Sequence, residues 1–98
     1  MKQMVELETK EQVLEQVLKK TVNSHYELVL YNDDVNTFDH VIECLINYCD
    51  HDVLQAEQCS YIVHYKGKCS VKRGTKNKLQ PIKQALIDQR LKVAILQY

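Results

Sequence analysis

Two short segments carry the residues best equipped for chemistry. Asn32-Asp33-Asp34 sets an amide and two carboxylates side by side, a cluster of acceptors suited to a cation with several N–H donors, such as a primary ammonium. Asn and Asp also end strands and cap helices routinely, so on its own this triplet reads first as a turn. Ser60 and His64 stand four residues apart, and at helical spacing they share one face, which continues towards Ala56 and Glu57. A histidine near a helix end otherwise serves as a cap or a half-buried packing residue.

The same residue types would suit a hydrolase, with Ser60 as nucleophile, His64 as base and Asp33 or Asp34 as orienter. Geometry argues against it. A nucleophilic serine sits at a sharp exposed turn beside oxyanion donors, whereas the N–H groups around a mid-helix Ser60 are already bonded. The expectation is a protein that is not an enzyme. Cys44, Cys49, Cys59 and Cys69 are spaced five, ten and ten residues apart, with no C-x-x-C pair. A zinc site built from Cys44, Cys49 and His40 or His51 lacks the closely spaced ligand pairs such sites use. Reduced, mostly buried thiols are expected, with no metal and no cofactor. Lys66, Lys68, Lys72, Arg73, Lys76 and Lys78 cluster within thirteen residues, but aromatic residues are not interleaved beyond Tyr65. An acidic remainder would also repel phosphate, so nucleic acid is not the expected partner.

The chain has 98 residues with 13 basic and 13 acidic side chains and is 45% hydrophobic, which suits one small domain. The zero net charge hides a division. Residues 21–65 hold eight carboxylates and no Lys or Arg, whereas residues 66–98 hold nine basic residues and only Asp88. Such asymmetry favours partners of opposite sign on two surfaces, or self-complementary packing of the two halves. No apolar run approaches the roughly 20 residues of a membrane helix, and the opening MKQMVELETK lacks a signal-peptide core. The expectation is a cytoplasmic protein without membrane contact.

The elements that must position these residues follow from periodicity. Residues 1–24, with EQVLEQVLKK as a short amphipathic stretch, read as a flexible N-terminal extension, because a lone helix of that length is marginal in water. HYELVLY predicts a strand from His25 to Tyr31, broken at Asn32. Asn36 and Thr37 can cap a helix whose apolar face is Phe38, Val41, Ile42, Leu45 and Cys49, stopping near Asp50. Asp52 with Gln55 forms a capping box for a second helix through Ala56, Cys59, Val63 and Tyr65, closed by Gly67, and the two helices make a hairpin. KCSVKR reads as an exposed strand turned at Gly74. Asn77 can cap a third helix with Pro81 in its first turn and Leu79, Ile82, Leu86 and Ile87 on its apolar side. LKVAILQY is the last strand. The order β-α-α-β-α-β over residues 25–98 implies a compact α+β domain, with a three-stranded antiparallel sheet packed against helices.

LVLYNDDVNTFDHVIECL, followed about twenty residues later by AEQCSYIVHYKGKC, resembles the ClpS family, adaptors of the ATP-dependent Clp protease in the N-degron pathway. The likeness spans roughly residues 25–95. It implies recognition of a substrate's first residue when that residue is bulky and hydrophobic. The α-amino group would be held by Asn32, Asp33, Asp34 and His64. The side chain would enter an apolar pocket at Asn36, Phe38, Val41, Ser60 and Val63. N-degron-bearing proteins would then pass to a ClpA- or ClpC-like AAA+ unfoldase, whose N-terminal domain would dock on the third helix around Lys83, Asn77 and Lys78. The adaptor is expected to be a monomer, and its extension to enter the unfoldase pore.

Two departures from the family pattern bear on the pocket. The family usually has proline and then methionine after the loop threonine, where this chain reads Val35-Asn36-Thr37-Phe38. Ser60 stands where many members have a methionine that excludes β-branched side chains, so a smaller gate here would admit Ile or Val. The alternative function is a protein-interaction domain on the same scaffold without N-degron specificity.

Overall fold

Hydrophobic content peaks at Leu28-Val29-Leu30, and all three are buried in β1 (Tyr26–Tyr31), the middle strand of the sheet. The computed structural model describes residues 9–14 and 25–98. β2 (Lys68–Gly74) and β3 (Lys92–Gln97) flank β1 antiparallel in the order β2-β1-β3. Tyr31 faces Lys68 on one side and Lys92 on the other. The register with β2 shifts between Leu28 and Val29, which face Lys72 and Ser70. Val71 is therefore the extra residue of a bulge. Its carbonyl accepts from Nε2 of the buried His51 at 2.7 Å, while Nδ1 of that ring finds no partner among the described residues.

Three helices complete the domain: α1 (Phe38–Cys49), α2 (Val53–Lys66) and α3 (Lys76–Asp88). The observed order, β1-α1-α2-β2-α3-β3, is the α+β arrangement expected. Leu28 and Leu30 meet Leu45 and Cys49 of α1, Ala56 and Val63 of α2, and Leu79 and Leu86 of α3 in a single core. Local chemistry starts and stops each helix. The Thr37 hydroxyl accepts from the His40 N–H at 3.1 Å, and the Asp52 carboxylate from the Gln55 N–H at 2.7 Å. Asp50 ends α1 at φ 63°, and Gly67 ends α2 at φ 92°, the left-handed geometry of helix C-caps.

Three details differ from expectation. α3 is capped by Thr75, whose hydroxyl accepts from the Lys78 N–H at 3.1 Å, not by Asn77. The helix thus begins at Lys76, and Pro81 lies beyond its first turn. Proline there leaves the Asn77 carbonyl without a helical donor, a loss that water can offset because both residues are exposed. Tyr65 and Ile87 point outward. Tyr65 is only two positions past buried Val63, about 200° round the helix. The strand KCSVKR is not fully exposed, since Val71 is buried.

Residues 10–14 are helical and start from a reciprocal capping box. In it the Gln12 N–H donates to the Thr9 hydroxyl at 3.0 Å and the Thr9 N–H to Gln12 Oε1 at 3.2 Å. The rest of the expected extension, residues 1–8 and 15–24, lies outside the described residues. All four cysteines are free. Burial pushes the thiol of Cys49 up to about 11, and burial together with Cys69 pushes Cys59 up to about 12, so both stay protonated at neutral pH. Among the described residues the acidic and basic halves meet in one ion pair, Arg73 Nε to Glu27 Oε1 at 3.9 Å. Such a pair on the surface contributes about 0–1 kcal/mol, so the charge division does not hold the fold together.

The cap assignment is tested by urea unfolding. Thr75→Ala should lower stability by about 1 kcal/mol, whereas Asn77→Ala should stay within about 0.5 kcal/mol of the parent.

Candidate functional site

The end of β1 is joined to the end of α2 by one backbone contact, in which the Asn32 N–H donates to the Gly67 carbonyl at 2.9 Å. Gly67 in turn donates its N–H to the Val63 carbonyl at 2.9 Å, closing α2. No atom lies within 4 Å of a Cβ built on Gly67, so the requirement for glycine comes from its positive φ. This joint sets the Asn32-Asp33-Asp34 loop beside the last turn of α2, where His64 sits.

Asp33 organises the loop. Its Oδ1 accepts from the N–H groups of Val35 and Asn36, both at 2.9 Å, and its Oδ2 from the Asn36 side-chain amide at 2.9 Å. Burial opposes the charge, but these bonds, with Lys92 nearby, outweigh it and hold the carboxyl below its ordinary 3.8. Asn36 has a second attachment, donating through Nδ2 to the Arg90 carbonyl at 2.9 Å. Arg90 follows α3 at φ 70°. Its N–H returns to the Ile87 carbonyl at 2.9 Å, and the Leu91 N–H to the Leu86 carbonyl at 3.0 Å. This is the Schellman closure, and it turns Leu91 into the core. Asn36 therefore ties the loop to the opposite wall of the site. Asp34 is exposed and has no hydrogen-bond or ion-pair partner among the described residues.

Between the loop and α2 lies a cavity of about 350 Å³, near the small end of the roughly 300–1,000 Å³ typical of ligand sites. Asn32, Asp33, Asp34 and His64 border it, as do Asn36, Phe38, Val41, Ser60 and Val63. All nine residues singled out in the loop and on the helix hairpin thus share one cavity. Phe38 and Val41 are one turn apart on α1, and Ser60, Val63 and His64 lie on one face of α2. Leu30, Leu91, Tyr31 and Thr37 complete the lining. Sequence reasoning missed these four, because nothing marks a core leucine as the floor of a cavity until the topology places it there.

The interior is apolar despite Ser60. That residue is 3% exposed, and its hydroxyl donates to the Ala56 carbonyl at 2.8 Å. The proton is therefore not shared with His64, which removes the base–nucleophile pair that a hydrolase needs. The imidazole of His64 lies on the rim, 5.3 Å from the Phe38 ring, and no lysine or arginine lines the cavity. One end thus offers carboxylate, amide and imidazole acceptors, and the other offers hydrocarbon. Such a site can hold a compact cation carrying an apolar side chain.

Asn77, Lys78 and Lys83 all lie on α3, the first two exposed and Lys83 half-buried, and none lines the cavity. Of the residues considered for zinc, His40 Nε2 donates to the Gln89 carbonyl at 2.9 Å and lies 3.6 Å from Cys44 Sγ. Among the described residues no three His, Cys, Asp or Glu side chains are grouped to hold a metal ion, and no helix is long and apolar enough to cross a membrane.

Residues 20–94 match the family model for the ATP-dependent Clp protease adaptor protein ClpS. Among curated proteins, the chain is similar to ATP-dependent Clp protease adapter proteins ClpS from several organisms. That of Thermosynechococcus vestitus is 31% identical over 74 residues, covering 74% of this chain and 79% of the relative. That of Campylobacter jejuni is 40% identical over 58 residues, 59% of each chain. That of Salmonella gallinarum is 40% identical over 45 residues, 46% of this chain and 42% of the relative. The chain thus spans about half the length of these last two relatives.

The lowered Asp33 carboxyl predicts a pH dependence of stability. Its folded value lies below the unfolded 3.8, so the unfolded chain binds the proton more readily. The stabilisation is complete above the ordinary carboxylate range and is lost as pH falls through the folded value. Asp33→Asn should cost about 1–2 kcal/mol at neutral pH. The gap between the variant and the parent, read from urea midpoints, should close below the ordinary carboxylate range.

Proposed function

The chain belongs to the ClpS family of Clp protease adaptor proteins, and from that premise we propose that it binds proteins by a bulky hydrophobic first residue and delivers them to a Clp AAA+ unfoldase. The observation that carries this reading is the shared cavity, with acceptors from two separate segments at one end and an apolar floor at the other. A free chain terminus has the same two-part chemistry, an ammonium next to a side chain.

In this reading the α-ammonium donates to Asn32, His64 and the carboxylates. Three N–H groups already occupy Asp33, so it supplies mainly charge and loop shape, while the unpartnered Asp34 is free to meet a cation. An ammonium about 4 Å from a carboxylate gains on the order of 4 kcal/mol at an effective dielectric near 20, before desolvation is subtracted. That attraction alone would hold any amine. Discrimination comes from the floor, where burying a Leu or Phe side chain adds roughly 1.5–3 kcal/mol and a polar side chain loses its water partners. Neither contribution suffices alone, and together they select a free terminus that is also apolar.

The basic residues of α3, among them Lys83 and Lys78, with Asn77 beside them, form the proposed docking surface for the N-terminal domain of the unfoldase. Their charge suits an acidic partner. The role expected of residues 1–24 in delivery falls mostly outside the described residues.

Short peptides test the reading by isothermal titration. A peptide beginning with Leu should bind, and its N-acetylated form should bind about ten- to a hundredfold more weakly, as should the free peptide to Asp34→Ala. Equal affinity of the free and acetylated peptides would leave an interaction domain without terminus recognition. Ser60 supports a further expectation, that a peptide beginning with Ile binds within about tenfold of one beginning with Leu. Stronger rejection of Ile would remove Ser60 as a relaxed gate.

A further inference from the structure

Four rings close a circuit at the mouth of the cavity. Phe38, the first residue of α1, lies with its centroid 5.2 Å from that of Tyr61 and 5.3 Å from that of His64. His64 meets Tyr65 edge-on at 4.9 Å. Tyr65 stacks on Tyr61 at 6.2 Å with planes 9° apart. Phe38 and His64 line the cavity, whereas Tyr61 and Tyr65 stand just outside it. The patch is open to water, with Phe38 39%, Tyr61 56% and Tyr65 76% exposed. The core does not need the two tyrosines, since α2 buries its other side through Ala56, Cys59, Ser60 and Val63. A contiguous exposed aromatic surface is a feature of contact sites.

We propose that this patch is a second subsite, which takes a planar side chain at the second or third position of the chain whose first residue fills the cavity; the proposal rests on the terminus-binding reading above. Distance supports it. With the amino group fixed by the loop and His64, an extended chain advances about 3.3 Å per residue. Its next two residues therefore lie within about 7 Å of the first. The tyrosine rings are one ring-to-ring step beyond Phe38 and His64, which is the same span. Chemistry narrows the choice further. Parallel ring faces favour an aromatic side chain or a guanidinium that can stack. With Asp33 and Asp34 on the cavity wall and no lysine or arginine there, a positive charge is tolerated and a carboxylate is not. The subsite thus sorts chain ends that share the same first residue.

The test uses peptides that begin with Leu and carry Gly, Trp, Arg or Glu at position two, then at position three, titrated against the full chain. Trp and Arg should bind about three- to tenfold more tightly than Gly at one of the two positions, and Glu should bind more weakly than Gly. In Tyr61→Ala/Tyr65→Ala the Trp-to-Gly and Arg-to-Gly ratios should fall below about twofold. Tyr61→Leu/Tyr65→Leu, which keeps apolar area but not planarity, should lose the Arg preference. A flat series in the parent protein overturns the subsite, and so does a ratio that survives in the alanine variant. Because every comparison is a ratio within one protein, a general loss of affinity in a variant does not imitate the result. If acetylated and free Leu peptides bind alike, the terminus-binding reading itself fails and the subsite falls with it. If acetylation weakens binding and the series is flat, only the subsite is lost.

Discussion

The hydrogen bond from the Asn32 N–H to the Gly67 carbonyl is the constraint on which the site depends. It fastens the exit of the central strand to the end of α2, two places more than thirty residues apart in the chain. With that joint made, the acceptors of the loop and the imidazole of His64 must face one space. The remaining walls are set by ordinary packing. α1 brings Phe38 and Val41, and the turn after α3 brings Leu91. The clamp from Asn36 to Asp33 and Arg90 then spans the site, so the loop is held from both sides and the Asp33 carboxylate has a fixed position.

Much of this was legible in the sequence, and the rest was not for identifiable reasons. The strand HYELVLY and the caps at Thr37, Asp52 and Gly67 are local signals, and the structure follows them. Thr75 and Asn77 are both residue types that cap well, and only the position of the first bonded turn decides between them. Spacing alone puts Ser60 and His64 on one face. That this face meets Asn32 is a fact of strand pairing that no local signal encodes. The double use of Asn36, to Asp33 three residues away and to Arg90 fifty-four away, has a local half that an Asx-type loop suggests and a distant half that it does not. Tyr65, which the sequence places only on its helix, stands in the exposed ring circuit.

The division of charge is not consumed by the fold. β1, from the acidic stretch, lies between β2 and β3 of the basic stretch, yet Arg73 and Glu27 make the one ion pair among the described residues. Arg73 is 64% exposed there, and its guanidinium also rests 4.7 Å over the Tyr98 ring. Hydrophobic contact holds the sheet and helices together, which leaves the other cations of β2 and those of α3, and Asp34 at the cavity, without an ion-pair partner among the described residues. Two surfaces of opposite sign on so small a body impose an orientation on anything charged that approaches it.

The surroundings of Gly67 bear on how this joint tolerates change. Nothing crowds the place a side chain would fill, and the backbone there stands at φ 92°. What the position demands is handedness, not smallness. An alanine there would be strained although its Cβ touches nothing, whereas asparagine, whose short polar side chain tolerates that handedness, would be strained less. What opposes a Cβ at this joint is therefore the handedness of the backbone and not a lack of room.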